Sequence, residues 1–180
     1  MNDIKNYDFS ADIRRMNTMY ELPVNEAPTV KIGMPLIQRL RNFKSIVLKE
    51  LDEIDDVIQL AGHMGTGENA PTELEVLTAL ADLLGDMQVF CASEMLKFGL
   101  PNNAVLQLIM QSNFSKLGAN GEVLKDDEGK FLKGPNYWKP EPKISVMLGS
   151  MQIEALAGLT RQATRTETIG AFDPLPSGRN

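Results

Sequence analysis

Apolar residues recur every three or four positions over much of this chain, and polar runs rich in Gly and Pro separate the repeats. The strongest pattern lies in residues 35–64, PLIQRLRNFKSIVLKELDEIDDVIQLAGHM. Its seam reads Leu36, Leu40, Phe43, Ile46, Glu50, Glu53, Val57 and Leu60, which share one face of a helix. All but the two glutamates are apolar. A second stripe, Val47, Leu51, Ile54 and Ile58, runs beside it, so the spacing predicts a long helix covered over a broad face. Carboxylates in such a seam are costly unless paired or bound to a cation. Glu50 and Glu53 therefore require an explanation that a solvated face does not.

The same periodicity organises the rest. A short helix is predicted over Ser10 to Tyr20, capped by Ser10, with Ile13, Met16 and Tyr20 on one face. Pro23, Pro28 and Gly33 make the following segment extended. A second long helix starts near Thr72, with Glu73 and Glu75 in its first turn where the helix dipole favours acids, and stops at Gly99. One of its stripes contains Glu75, Ala79, Asp82, Asp86, Val89, Ser93 and Leu96; another face carries Leu77, Leu80, Leu84, Met87 and Cys91. A third long helix is predicted over Ala104 to Leu117, with Asn113 and Lys116 one turn apart near its end. Beyond it, Asp127-Glu128-Gly129 between VLK and KFL predicts a β-hairpin. Ile144 to Leu159 reads as a weak helix interrupted by Gly149 and Gly158, and the chain from Arg161 onward as polar and loose. The expected fold is all-α: an antiparallel helical bundle with a short β-hairpin arm after the third long helix.

Composition narrows the chemistry. A chain of 180 residues is long enough for one domain with a real core. The net charge of −6 argues against a nucleic-acid backbone as partner. The single cysteine, Cys91, permits no internal disulfide, and no signal peptide or apolar run of membrane-spanning length is read. A cytoplasmic location and no membrane partner are expected. The single histidine, His63, stands near a helix end, which leaves most zinc sites and a Ser-His-Asp triad without support.

Two helices each present a pair of acids at helical spacing: Glu50 and Glu53 on one, Asp82 and Asp86 on the other. Packed antiparallel, they bring four carboxylates to one pocket, where like charges repel unless a cation stands among them. Mg²⁺ takes a few carboxylates and fills its other positions with water and substrate phosphates. The constellation thus predicts a metal site, for Mg²⁺ or Mn²⁺, that serves a phosphorylated ligand. The competing explanation is a solvated acidic face, and Asp52, Asp55 and Asp56, which fall off the seam, are read that way.

These residues carry a resemblance. The motif Glu50-Leu-Asp-Glu53, the acids in ALADLLGDMQVF, then SNFSK and KGPNYWKPEP in that order are similar to the MazG-like, all-α NTP pyrophosphohydrolases. The likeness is to their phosphoribosyl-ATP pyrophosphohydrolase-like branch, over roughly residues 10–143. The second acidic motif departs from the family's E-x-x-D: the position three before Asp86 is Leu83, and Asp82 is the natural substitute. The resemblance implies a helical domain over residues 1–143 and a C-terminal extension over 144–180. It implies Mg²⁺-dependent cleavage of an NTP or dNTP between the α- and β-phosphates, to a monophosphate and pyrophosphate. Glu50, Glu53, Asp82 and Asp86 would hold the metal, with Glu53 or Glu50 acting on the attacking water. Asn113, Lys116, Lys133, Asn136 and Tyr137 would bind the nucleotide; Phe43 and Trp138 are further aromatics, Phe43 read as core. A homodimer is expected, since the two long helices carry more apolar surface than a lone chain covers. The alternative is a catalytically weak nucleotide-binding or assembly module that keeps this fold.

Overall fold

The structure, a computed structural model, describes residues 7–170, with side chains through residue 161. Among the described residues it is all-helical: α1 (Phe9–Met19), α2 (Leu36–Gly62), α3 (Glu73–Lys97), α4 (Asn102–Phe114) and α5 (Pro140–Gly170). The chain forms two compact units, Met1–Leu106 and Gln107–Asn180.

The first unit holds α1, α2 and α3, with α3 packed on both of the others. Helix α1 starts one residue before its expected beginning. Asp8, not Ser10, is its cap, accepting a hydrogen bond from the Ala11 amide at 3.1 Å. Helix α2 follows Pro35, whose fixed φ suits a helix entrance. Helix α3 opens with a capping box: the Thr72 hydroxyl accepts from the Glu75 amide while the Glu75 carboxylate accepts from the Thr72 amide. That bonding holds the Glu75 carboxyl below its ordinary range. The C-terminal carbonyls of α3 are taken up by the extended segment after α1. Asn25 donates to Leu96 O and Lys97 O, and Thr29 donates to Phe98 O at 2.9 Å. The segment runs so close that a Cβ on Gly99, at φ +64°, would lie 2.1 Å from Ala27 O.

The buried interior of this unit is partly polar. Ile13, Ile32, Leu83 and Ala92 are its buried apolar residues among those described, and Asn17, Arg39, Glu50, Ser93, Glu94 and Lys97 are buried beside them. Asn17 of α1 and Ser93 of α3 pair, the Ser93 hydroxyl donating to Asn17 Oδ1 at 2.6 Å. Arg39 of α2 donates through two nitrogens to both oxygens of Glu94 on α3, and Lys97 Nζ donates to Glu94 Oε2 at 3.2 Å. Arg39 lies opposite Glu94, and further along α2 Glu50 lies opposite Asp86, so α2 and α3 run antiparallel as expected.

Helix α3 corrects one expectation. It is the described helix long and apolar enough, by length and composition, to cross a membrane, with a mean hydropathy of 1.3 over its most apolar stretch. Asp82 and Asp86 break the run of apolar letters yet leave the mean high. Of that stretch 17% is buried within the unit, Leu83, Ala92 and Ser93 among it, and α3 packs on α1 and α2.

In the second unit α4 ends three residues short of its expected limit at Leu117, and α5 runs without interruption through Gly149 and Gly158 to Gly170. Glycine lowers helix propensity by about 1 kcal/mol per residue, which a helix of this length absorbs. The arm between them makes a tight turn closed by one antiparallel bridge, Lys125 to Phe131, and no strand extends from it among the described residues. Asp126 accounts for this compactness. Its side chain accepts from the amides of Glu128 and Lys130 and adds to the short backbone bonds of the turn, Asp126 N to Lys130 O and Leu132 N to Leu124 O.

Candidate metal and phosphate site

Glu50 sits in the middle of α2, buried to 8% exposure, and its Oε2 has no hydrogen-bond partner. Burial raises its carboxyl above the ordinary range, and the nearby carboxylates of Glu53 and then Asp86 raise it further. A buried, unpartnered carboxylate oxygen facing two more acids is an arrangement that an isolated chain disfavours. The seam that predicted it is only half realised. Phe43, Ile46, Val57 and Leu60 are half-buried, Leu40 is exposed, and Glu53 is exposed and not buried beside Glu50. Glu50 and Glu53 lie nearly a turn apart on α2, Glu50 buried and Glu53 exposed.

Asp82 and Asp86 are both exposed on α3. Asp86 is the one that acts on Glu50. Asp82 borders an open hollow with Leu74, Leu77, Thr78 and Ala81. Leu83, at the position of the missing acid, is buried apolar core. An acid there would need its own partner. Among the described residues no three His, Cys, Asp or Glu side chains stand close enough together to hold a metal ion. The carboxylates fit a hard divalent cation in kind, and the orphaned Glu50 Oε2 is the atom such an ion would satisfy.

The remaining candidates lie in the second unit, gathered by interactions that the two motifs make with each other. The Ser112 hydroxyl donates to Trp138 O at 2.8 Å, and the Trp138 amide donates to Ser115 Oγ at 3.2 Å. The Gly134 amide donates to Lys116 O at 2.9 Å, and a Cβ on Gly134 would lie 1.9 Å from Leu117 O. The serines of SNFSK thus position the KGPNYW segment, and only glycine permits the approach. Sequence reasoning places Ser112 on the inner side of this helix and both serines in the SNFSK motif, but does not give them this hold on Trp138; their spacing on one helical face was the available signal. Lys116 Nζ donates to Asn113 Oδ1 at 2.8 Å, and Lys133 Nζ lies 4.7 Å from the Tyr137 ring centroid. Trp138 is covered by Lys143 at 3.6 Å. Asn136 is exposed. The buried Arg39–Glu94–Lys97 group was also missed, since nothing in the apolar pattern marks it.

No protein-family model matches the chain, and no curated protein matches it. One solved structure, named "putative NTP pyrophosphohydrolase" and from Exiguobacterium sp. 255-15, resembles it with a TM-score of 0.45 and 19% sequence identity, over 83% of this chain and 98% of that one. A likeness of that degree says nothing of chemistry.

Proposed function

We propose that the chain is a nucleotide pyrophosphohydrolase that cleaves an NTP or dNTP between the α- and β-phosphates and depends on Mg²⁺ or Mn²⁺. The observation that carries this reading is Glu50, whose buried Oε2 has no partner while Glu53 and Asp86 press on it. The order of the acidic, SNFSK and KGPNY motifs supports it.

Glu50, Glu53 and Asp86 would hold the cation, with Asp82 reaching it from the next turn of α3. A bound divalent ion supplies neutralisation of phosphate charge and favours a deprotonated water. Glu53, which faces solvent, takes a proton from the attacking water. The water oxygen bonds to the α-phosphorus and the bond from that phosphorus to the bridging oxygen breaks, so pyrophosphate leaves. In the second unit, Asn113, Lys116 and Lys133 offer donors to phosphate oxygens, and Asn136 and Tyr137 follow Lys133 in the chain. Glu53→Gln should lower turnover by roughly 10²–10⁴-fold. Circular dichroism should show an unchanged fold. Full turnover in excess chelator would refute the reading.

A second reading is favoured by one observation: no three ligands are assembled within the described residues. A module of this fold that binds nucleotides without cleaving them would give metal-independent binding and no pyrophosphate.

A further inference from the structure

The end of α4 and the turn after it enclose a groove of about 510 Å³. Ligand pockets typically measure roughly 300–1,000 Å³ and combine apolar walls with a few convergent polar groups. This groove has that make-up. Phe114 and Leu117 form one wall, and Val123, Leu124, Phe131 and Leu132 form the other. The polar residues that line it are Asn113 and Lys116. Its frame is pinned by backbone hydrogen bonds: Leu132 N to Leu124 O at 2.9 Å, Gly118 N to Glu122 O at 2.8 Å and Gly134 N to Lys116 O at 2.9 Å. Its apolar walls face water, with Phe114 at 64% and Phe131 at 63% exposure.

The charges about it favour an anion. The bond from Lys116 Nζ to Asn113 uses one of the ammonium's three donors and leaves two for a ligand. Lys125 Nζ lies 4.9 Å from the Phe131 ring centroid and adds a second cation beside that wall. Of the acids in this turn, Glu122 accepts from the Asn120 amide and Asp126 from those of Glu128 and Lys130, while Asp127 and Glu128 are exposed at its tip.

We infer that this groove takes the base of a nucleotide, stacked among Phe114, Phe131 and the aliphatic walls, with the phosphate nearest the ring on Lys116. The ring's identity rests on the function proposed above. Every base has a π-face, so stacking on aromatic walls tolerates all of them. Asn113 is the lining side chain beside Lys116 that carries polar atoms, its Oδ1 is taken by Lys116, and the other walls offer no side-chain donor or acceptor, so discrimination among bases is slight.

The test uses the full chain, ¹⁵N-labelled and metal-free, titrated with AMP, GMP, CMP and UMP and with ribose 5-phosphate, followed by amide shifts and by fold on circular dichroism. Loss of base–aromatic stacking predicts roughly tenfold weaker binding of ribose 5-phosphate, with the four nucleotides alike within about threefold. The amides of Lys116, Leu124 and Leu132 should move. Phe131→Ala, a change at an exposed ring, should bring nucleotide affinity down to that of ribose 5-phosphate and leave the sugar phosphate as it was. Lys116→Met should weaken all five. Ribose 5-phosphate binding as tightly as AMP would overturn the inference, as would AMP affinity unchanged in Phe131→Ala. So would a change of mass by light scattering in that variant with AMP binding intact, which would make the groove a contact between copies. Hydrolysis of a triphosphate is scored apart. The predicted binding pattern without hydrolysis upholds the groove and removes the enzymatic reading; hydrolysis with no preference for a ring does the reverse.

Discussion

At the scale of single residues, Glu50 carries the most consequence. Its carboxyl is raised by burial and by Glu53 and Asp86, so the folded chain favours its protonated form. The stability this group lends is present below its unfolded pKa near 4.5 and is lost as pH rises through the higher folded value. Glu50→Gln should therefore raise the Tm of the metal-free protein at pH 7, and the advantage should vanish below pH 4.5, where both side chains are neutral. Thermal melts at the two pH values in chelator check this; a variant less stable than the parent at pH 7 would count against an orphaned charge. The position of Glu50 was legible in the sequence, because a carboxylate in an apolar seam stands out at helical spacing. The exposure of Glu53 was not. Spacing places a residue on a face, but it does not say how much of that face the packed helix covers at each position.

At the scale of elements, what spacing left unread is polar and long-range. Arg39 and Glu94 are joined across two helices by a two-pronged ion pair, and Lys97 shares the same carboxylate. Desolvation lowers the Lys97 ammonium's pKa, partly offset by Glu94. Glu94→Ala would leave two buried cations unpaired and should cost about 3–5 kcal/mol, read as a lower urea midpoint. A midpoint unchanged from the parent would show that the pair does not hold α2 to α3. No apolar periodicity encodes such a bridge. The boundaries of α3, in contrast, were encoded locally: Thr72 with Glu75, and Gly99, mark it at both ends. The expected hairpin is reduced to a turn with one antiparallel bridge, Lys125 to Phe131, because turn letters fix a turn and not the length of ladder beyond it. The docking of KGPNYW on the end of α4 rests on Gly134. Gly134→Ala must push the segment off Leu117 O, so Trp138 fluorescence should shift to the red while the far-ultraviolet spectrum keeps its helical shape. An unshifted emission maximum would mean that the segment does not depend on this approach.

At the scale of the whole molecule, the all-α class was legible because each long segment keeps one period throughout. What a lone chain leaves uncovered is the stripe on α2 and α3: Leu51 at 42%, Ile58 at 61%, Leu77 at 52% and Leu84 at 49% exposure. Exposed apolar surface on this scale, on helices that also carry the acids, is expected to be covered by a second copy. Light scattering at micromolar concentration should give twice the 19.9 kDa of one chain, and a single-chain mass would contradict it. The central claim is that the acids of α2 and α3 serve metal-dependent cleavage of a nucleotide. Phosphorus NMR of the parent and Glu53→Gln proteins, each incubated with a nucleoside triphosphate and Mg²⁺, tests it most directly. The account predicts monophosphate and pyrophosphate from the parent, neither in excess chelator, and neither from Glu53→Gln; diphosphate and inorganic phosphate as products, or equal turnover by the variant, would contradict it.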